Sequence, residues 1–160
     1  MAGIMFTDGK FVLAGYNPRK FHISGIGGKA KEGETAIHTA IRETLEELFE
    51  LETIPEDLTT MLYENLTFDT VFSSNGYTNF IMDFRYDLEV IFNAISKFDV
   101  RSRVYSTIPQ TLEQLLMTRI VVPEAELSHL MLIPCIYNIG LDELFIKDIY
   151  TFKNYERSIR

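Results

Sequence analysis

Four glutamates within one predicted helix have the types and spacing that could bind a cation. Apolar residues recur at helical spacing over residues 35–51, and the same segment places Glu43, Glu46, Glu47 and Glu50 at i, i+3, i+4 and i+7. On a helix this spacing puts the four carboxylates within about 100° of one another, opposite the apolar stripe. Because like charges so arranged destabilise a helix, a divalent cation with oxygen ligands, Mg²⁺ or Mn²⁺, would compensate them. The alternative interpretation is a solvated acidic face.

The segment in front of this helix favours the cation site. Residues 24–28 read Ser-Gly-Ile-Gly-Gly, which predicts a loop or a sharply bent strand edge. A glycine is then followed at fixed intervals by a glutamate, an Arg-Glu pair and a Glu-Glu pair. These residues are Gly28, Glu34, Arg42, Glu43, Glu46 and Glu47. The arrangement resembles the Nudix box, written G-x5-E-x7-R-E-U-x-E-E-x-G-U, in which U is a bulky aliphatic residue.

This resemblance implies both a fold and an activity. The implied fold is the Nudix-type α/β/α sandwich, of the α/β (α+β) class, with a central mixed sheet and the box as a loop–helix–loop. Residues 1–160 would form a single domain. The implied activity is metal-dependent hydrolysis of a diphosphate linkage in a small-molecule nucleotide substrate: a nucleotide sugar, a dinucleotide or a modified nucleoside triphosphate. The cation would neutralise charge on the diphosphate and generate the attacking nucleophile.

The resemblance also assigns roles within the box. Glu46 and Glu47 are the first metal ligands, and Glu43 is a further ligand or the base that deprotonates the attacking water. The carbonyl oxygen of Gly28 is an additional ligand. The catalytic group would consist of Glu43, Glu46 and the ion pair of Arg42 with Glu34.

Arg42 is expected to pair with Glu34, which would fix the loop against the helix and orient the neighbouring glutamate. The sequence departs from the box at three positions. Phe49 replaces the glycine that normally ends the helix, and Thr44 and Glu50 replace aliphatic residues. Without that glycine the helix is predicted to continue to about residue 52 and to be followed by a second helix. Thr44 can still face the core.

Residues outside the box provide further candidates. Nudix enzymes often use an extra acid from a distant loop, and the candidates here are Glu124 and Glu126, with Glu126 preferred; each could equally be a solvated loop residue. Lys29 stands beside the glycine segment, where it could contact phosphate or solvent. Tyr16 and Phe21 flank the loop that leads into the box, so they are predicted to line a substrate pocket.

The elements that must position these residues can be predicted from periodicity and turn signals. Two hairpins are expected: residues 3–6 with 11–16 across Asp8-Gly9, and residues 66–73 with 77–84 across Ser74-Asn75-Gly76. A capping box at residues 53–56 predicts a helix that ends near residue 65. The other predicted elements are helices at 87–98, 109–120 and 141–155 and a buried segment or strand at 130–137.

Composition narrows the class of protein. The length of 160 residues suits one domain. The single cysteine, Cys135, excludes an internal disulfide framework and is interpreted as a small buried hydrophobe. The N-terminus resembles no signal peptide and no apolar run would span a bilayer, so a cytoplasmic or nuclear protein without a membrane partner is expected.

Charge is unevenly distributed along the chain. The net charge is −8, yet residues 1–31 carry five basic residues and one acid, and residues 32–70 carry eleven acids and one basic residue. A protein that grips long nucleic acid would be basic overall. A basic stretch followed by an acidic one suits a site for phosphate together with a metal cation.

Two other functions remain open from the sequence. Removal of the 5′ cap of mRNA is also Nudix chemistry, and the pairs Arg19-Lys20 and Arg101/Arg103 could follow a capped RNA backbone. The acidic balance and the absence of room for a separate RNA-binding domain oppose it. A non-catalytic nucleotide sensor would normally have lost acids of the box, all of which are present here. A homodimer is compatible with the family, but no segment of the sequence marks an interface.

Overall fold

Two β-sheets form the centre of the molecule, and helices flank them. The computed structural model describes residues 1–136 and 141–159. Its elements in chain order are β1 (Ala2–Phe6), β2 (Phe11–Asn17), β3 (His22–Ser24), β4 (Ile26–Gly28), α1 (Ala36–Phe49), α2 (Glu56–Asn65), β5 (Thr70–Ser74), β6 (Tyr77–Met82), α3 (Leu88–Ser96), α4 (Leu112–Met117), β7 (His129–Pro134) and α5 (Glu143–Ser158). The larger sheet has the order β4-β1-β6-β5 and is mixed, because β1 runs parallel to β6 and antiparallel to β4. The smaller sheet, β3-β2-β7, is antiparallel. The predicted α/β (α+β) class is confirmed.

Strand β1 is buried on both faces. All five of its residues are buried, and successive side chains point to opposite sides of the sheet. Ile4 and Phe6 belong to the larger of two hydrophobic cores, whereas Met5 belongs to the smaller one. A strand of this kind requires a covering layer on each face of its sheet.

Helices supply those two layers. Helix α1 covers one face of the larger sheet with Ile41, Leu45 and Leu48, each at most 1% exposed. Helix α5 closes the other core with Phe145 and Ile149. Among the described residues, no helix has both the length and the apolar character needed to span a bilayer.

The predicted hairpin across Asp8-Gly9 is wrong, although both of its segments are strands. The two edges of β1 are occupied by β4 and β6, while β2 pairs with β3 and β7 in the other sheet. A single bridge, between Thr7 and Val12, joins the two segments within the described chain. Asp8 still makes the turn, since its carboxylate accepts hydrogen bonds from two backbone N–H groups. A local turn signal predicts the chain reversal but not the sheet that each strand joins.

The second predicted hairpin is confirmed as β5 and β6. Asn75 and Gly76 lie between them with φ of 52° and 76°, the positive values that a tight two-residue hairpin turn requires. The predicted helix at residues 87–98 contains α3, whereas β7 begins one residue before the predicted segment 130–137 and α5 ends three residues after the predicted helix 141–155. Helix α4 is shorter than the predicted helix at residues 109–120. Residue 137, the last residue of the predicted segment 130–137, lies outside the described residues.

Helix α2 is present, but the capping box predicted at residues 53–56 is wrong. The helix begins at Glu56 with Pro55 as its N-cap, and no side chain bonds to this end. The carbonyl oxygen of Pro55 accepts the first hydrogen bonds instead, from the backbone N–H groups of Leu58 and Thr59. Proline precedes the helix because its fixed φ suits the entry and it has no N–H to leave unpaired.

Helix α1 ends at Phe49 and not near residue 52 as predicted. Glu50 adopts the left-handed conformation, with φ 44° and ψ 50°, and its N–H bonds to the carbonyl oxygen of Glu46. The Phe49 side chain is fully buried and packs edge-on against Phe92, with ring centroids 5.9 Å apart. An aromatic residue at the family's glycine position is therefore accommodated in the core, and the left-handed residue that ends the helix is the next one. Thr44 is 2% exposed and faces the core, as predicted.

Arg119 binds the carbonyl end of α1. Its guanidinium donates to the carbonyl oxygens of Leu48 at 2.7 Å, Glu47 at 2.9 Å and Leu127 at 2.9 Å. It also lies 5.7 Å from the centroid of the Tyr105 ring. Carbonyl groups in the last turn of a helix lack intrahelical partners, and Arg119 satisfies two of them. The same contacts join α1 to the loop before β7.

We expect Arg119→Met to lower the free energy of unfolding by about 3 kcal/mol, because three carbonyl oxygens lose a charged donor. Denaturation in urea would measure the change. Arg119→Lys retains the positive charge but not the planar guanidinium, so it should lower the free energy of unfolding by less than Arg119→Met. An unchanged unfolding midpoint in Arg119→Met would contradict this account of the helix end.

Candidate active site

The glycine strand β4 lies directly against helix α1. The backbone N–H of Gly27 donates to Oε2 of Glu47 at 2.7 Å. A Cβ atom on Gly28 would stand 2.6 Å from the Glu43 carboxylate, closer than real Cβ atoms approach a neighbour. Glycine at position 28 leaves room for the Glu43 carboxylate, and glycine is required at position 27, where φ is 147° and an added Cβ would stand 2.6 Å from the carbonyl oxygen of Ala2. The predicted contact between the glycine segment and the acidic face is present.

Arg42 is the centre of an ion-pair network on this face. Its Nε donates to Oε1 of Glu34 at 2.7 Å and its Nη2 to Oε2 of the same residue at 3.0 Å. Its Nη1 donates to Glu43 at 2.8 Å and to Glu46 at 2.7 Å, and its Nη2 also donates to the carbonyl oxygen of Lys29 at 2.8 Å. The Arg42 hydrogen bonds are the main reason that the pKa of Glu34 falls to about 2. The predicted Arg42–Glu34 pair is confirmed.

Glu47 is the most deeply buried acid of the face. It is 5% exposed, and burial raises its pKa well above the usual value. The Gly27 N–H opposes this shift, whereas the charges of Glu126, Glu43 and Glu46 add to it. Burial also raises the pKa of Glu43, with Arg42 opposing. Two adjacent carboxylates are thus held where ionisation is unfavourable without a further positive charge.

The fold brings Glu126 to this group from the loop before β7. Its Oε1 accepts a hydrogen bond from Nδ2 of Asn17 at 3.3 Å, and its backbone N–H donates to Oε1 of Glu50 at 3.4 Å. Its charge contributes to the raised pKa of both Glu43 and Glu47. The more distant candidate Glu124 borders the same cleft, and its carbonyl oxygen accepts from Arg19 at 3.4 Å.

These side chains line a cleft of about 920 Å³. One wall contains the carboxylates of α1 and Glu126, and the remainder of the lining comes partly from the start of α2. Arg42 and three further basic side chains, Arg19, Lys31 and Arg103, also border the cleft. Lys31 pairs with Glu46 at 3.2 Å and Arg103 with Glu50 at 3.7 Å. A cleft that combines clustered carboxylates with basic groups can bind a cation and a phosphate together.

The donors of the cleft fit a hard divalent cation. Within residues 1–136 and 141–159, no three carboxylate, imidazole or thiol groups are close enough together to bind one metal ion. Glu43 and Glu46 are turned to Arg42, and Glu47 to the strand backbone. All of these groups present oxygen atoms on one wall, and burial, with the charges of neighbouring glutamates including Glu126, raises the pKa of Glu43 and Glu47. Mg²⁺ and Mn²⁺ prefer such ligands.

The three residues predicted to contact substrate are placed differently from one another. Lys29 is exposed and borders a second cavity beside the carboxylates. Tyr16 is half-buried on β2, and Phe21 is 80% exposed with φ 55°. The structure does not bring Tyr16 or Phe21 into the lining of either cavity that borders the carboxylates.

The second cavity is lined by residues that the sequence patterns did not identify. It has a volume of about 370 Å³, and Glu43, Glu47 and Glu126 border it as well as the cleft. On the side away from the cleft its lining includes Asn79 of β6 and Asp148 of α5, both buried. Burial raises the pKa of Asp148 to about 6, with the Asn79 amide opposing and Asp142 adding to the shift. In the sequence, Asn79 is only a polar position in a strand.

No family model matches the chain, and no curated protein matches it at a significant level. Membership of the Nudix family is therefore a prediction that rests on residues 28–47 and on the contacts that they make.

Asp148→Asn should stabilise the protein at alkaline pH. The pKa of Asp148 is about 6 in the folded protein and 3.8 in the unfolded chain, so ionisation of this group opposes folding. The wild type therefore loses stability as the pH rises from the lower value to the higher one. Asparagine does not ionise. We expect the variant to exceed the wild type by about 2 kcal/mol in free energy of unfolding at about pH 8, and to match it near pH 4.

Urea denaturation at both pH values measures this difference, with the exposed Asp99→Asn as a control. His22, Tyr77 and Asp142 line the same cavity and remain unchanged in both proteins. A difference of equal size at the two pH values would show that ionisation of Asp148 is not the cause.

Proposed function

We propose that the protein is a Nudix-type hydrolase that uses Mg²⁺ or Mn²⁺ to cleave a diphosphate linkage in a nucleoside diphosphate derivative. A nucleotide sugar, a dinucleotide or a modified nucleoside triphosphate would be the substrate. The observation that carries this proposal is the contact of Glu43 and Glu47 with the glycine strand, beside Glu126 and within the Arg42 network. The spacing of the box residues supports it independently.

The acids of the cleft would hold the cation. Glu46, Glu47 and Glu43 are the ligands from the helix, Glu126 is the ligand from the distant loop, and the Gly28 carbonyl oxygen lies on the adjoining strand. When bound, the cation supplies charge neutralisation on the diphosphate and a more acidic water.

Other groups of the chain would orient the reaction. Arg42 ties the loop residue Glu34 to the helix and holds Glu43 in place through Nη1. Glu43 is half-buried, and burial raises its pKa, which suits a group that accepts a proton from water near neutral pH. Lys31 and Arg19 border the cleft and would bind phosphate oxygens.

Turnover of a panel of diphosphate compounds with Mg²⁺ or Mn²⁺, with products identified by mass spectrometry, tests the proposal. We expect Glu47→Gln and Glu46→Gln each to reduce kcat/KM at least about 100-fold, because a metal ligand contributes several kcal/mol to the transition state. The matched control is Glu64→Gln, an exposed glutamate of α2 outside the cleft.

The results distinguish the proposal from its rivals. Near-normal turnover in both box variants would refute the ligand assignment. Binding of Mn²⁺ and nucleotide by the wild type without turnover of any compound would favour a nucleotide sensor. Circular dichroism of each variant establishes that a loss of activity is not a loss of fold.

Capped RNA is the second candidate substrate, and one observation favours it. Arg19 and Arg103, one from each basic pair of the sequence, border the same cleft as the carboxylates. If an RNA chain follows these residues, capped RNA should be cleaved more efficiently than free cap analogue, and the advantage should fall steeply with salt. The double variant Arg19→Ala/Arg103→Ala should then lose this advantage while cleavage of the cap analogue persists. Equal rates for the two substrates at low salt would exclude RNA recognition.

A further inference from the structure

The second cavity has the size and lining of a pocket for an organic ligand. Its volume of about 370 Å³ lies within the range of about 300–1,000 Å³ that small-molecule pockets occupy. It extends from the shared carboxylates between β4 and α5, so a ligand whose phosphates lie in the cleft could place its other end here.

Asn79 is a buried donor without a partner. The residue is 4% exposed, and its Nδ2 has no partner at an ordinary hydrogen-bond distance, although the amide lies near enough to the Asp148 carboxylate to lower the pKa of that group. It stands in β6 next to buried Phe80 and Ile81. An unsatisfied amide in such a place costs about 1–3 kcal/mol. A group that enters the cavity and accepts a hydrogen bond would remove this cost.

Asp148 places an acceptor beside this donor. Its side chain is 9% exposed and lies close enough to Asn79 for the amide to lower its pKa. His22 adds a second unpartnered atom, Nδ1, in the lining. The cavity therefore presents a hydrogen-bond donor and a hydrogen-bond acceptor side by side, with little access to bulk water.

Part of the wall around these polar groups is apolar and lies close to the backbone. The Phe145 ring lies against Gly25, where an added Cβ would stand 2.8 Å from a ring carbon. Leu13 and Ile26, 1% and 3% exposed, also face the cavity. The Phe145 ring offers an apolar face and the Asn79–Asp148 pair offers a donor and an acceptor, the two features that a flat ring with adjacent donor and acceptor atoms on one edge would use.

We propose that this cavity binds the base of a nucleotide substrate, with Asn79 and Asp148 as the residues that determine which base is preferred. The inference rests on the proposed function for the placement of the phosphates in the neighbouring cleft. The phosphates lie against the basic border of the cleft, the sugar passes Glu43 and Glu126, and the base meets Asn79.

Equilibrium binding without metal tests the pocket separately from hydrolysis. Titration calorimetry in EDTA with the four common nucleoside 5′-monophosphates, and with ribose 5-phosphate as the ligand without a base, gives the contribution of the base. At least one nucleotide should bind about tenfold more tightly than ribose 5-phosphate, the ratio that one well-made hydrogen bond provides. Asn79→Leu, which keeps the branching at Cγ and cannot donate, should abolish that ratio.

Two further variants complete the design. Asp148→Asn exchanges an acceptor for a group that also donates, so it should change the order of preference among the bases. If Asn79→Leu does not fold, Asp148→Asn alone tests the pocket. Asn93→Leu, on the exposed side of α3, is the matched control and should leave every affinity unchanged.

The outcomes separate this inference from the proposed hydrolysis. If ribose 5-phosphate binds as tightly as every nucleotide, or if the Asn79 and Asp148 variants keep the wild-type preference, the base pocket is refuted even when diphosphates are hydrolysed. If the preference is present and is lost in Asn79→Leu while no diphosphate is hydrolysed, the pocket stands and the proposed reaction fails. Glu46→Gln, whose side chain lies outside this cavity, should retain base preference with reduced turnover.

Discussion

The guanidinium of Arg42 is the contact on which the arrangement of the acidic face depends. It donates to Glu34, Glu43 and Glu46 and also to the carbonyl oxygen of Lys29, so one side chain joins the loop, the strand exit and the helix. Without it three carboxylates would repel one another at short range. The ion pairs with Arg42 therefore hold Glu34, Glu43 and Glu46 close together.

The second constraint is the close approach of backbone to carboxylate. The Gly27 N–H donates a hydrogen bond to the buried Glu47 carboxylate, and Gly27 lies so close to the backbone of β1 that no side chain fits at this position. The cavity with Asn79 lies beyond the same strand. Gly27 and Gly28 of β4 therefore contact the buried acids and also line the second cavity.

Most elements that depend on residues close together in the sequence were predicted correctly. Most features that depend on contacts between distant residues were not. The Asn75-Gly76 turn and the periodicity of α1 can be read locally, and both are present. The strands that pair with β1 could not be predicted from the sequence, because several strands far apart in the chain could pair with it. The end of α1 depends on Arg119, which lies seventy-one residues beyond Leu48. For the candidate site, the box spacing predicted the Arg42–Glu34 pair, and the loop position suggested Glu126. Asn79 and Asp148 carry no local signal, since only the packing of α5 on the sheet brings them together.

The parallel pairing of β1 with β6 has a consequence for how the molecule assembles. Ala2 lies beside Thr78 and Phe6 beside Met82, so β1, once synthesised, waits for a segment more than seventy residues later before this edge is covered. Until then an apolar strand and its unpaired backbone are exposed, a state prone to association with other chains. Long-range pairings of this kind also slow folding, because the intervening loop must close first. The acidic face and the glycine strand do not share this delay, because β4 pairs with the other edge of β1 and Gly27 bonds to Glu47 of α1, a segment made before β6.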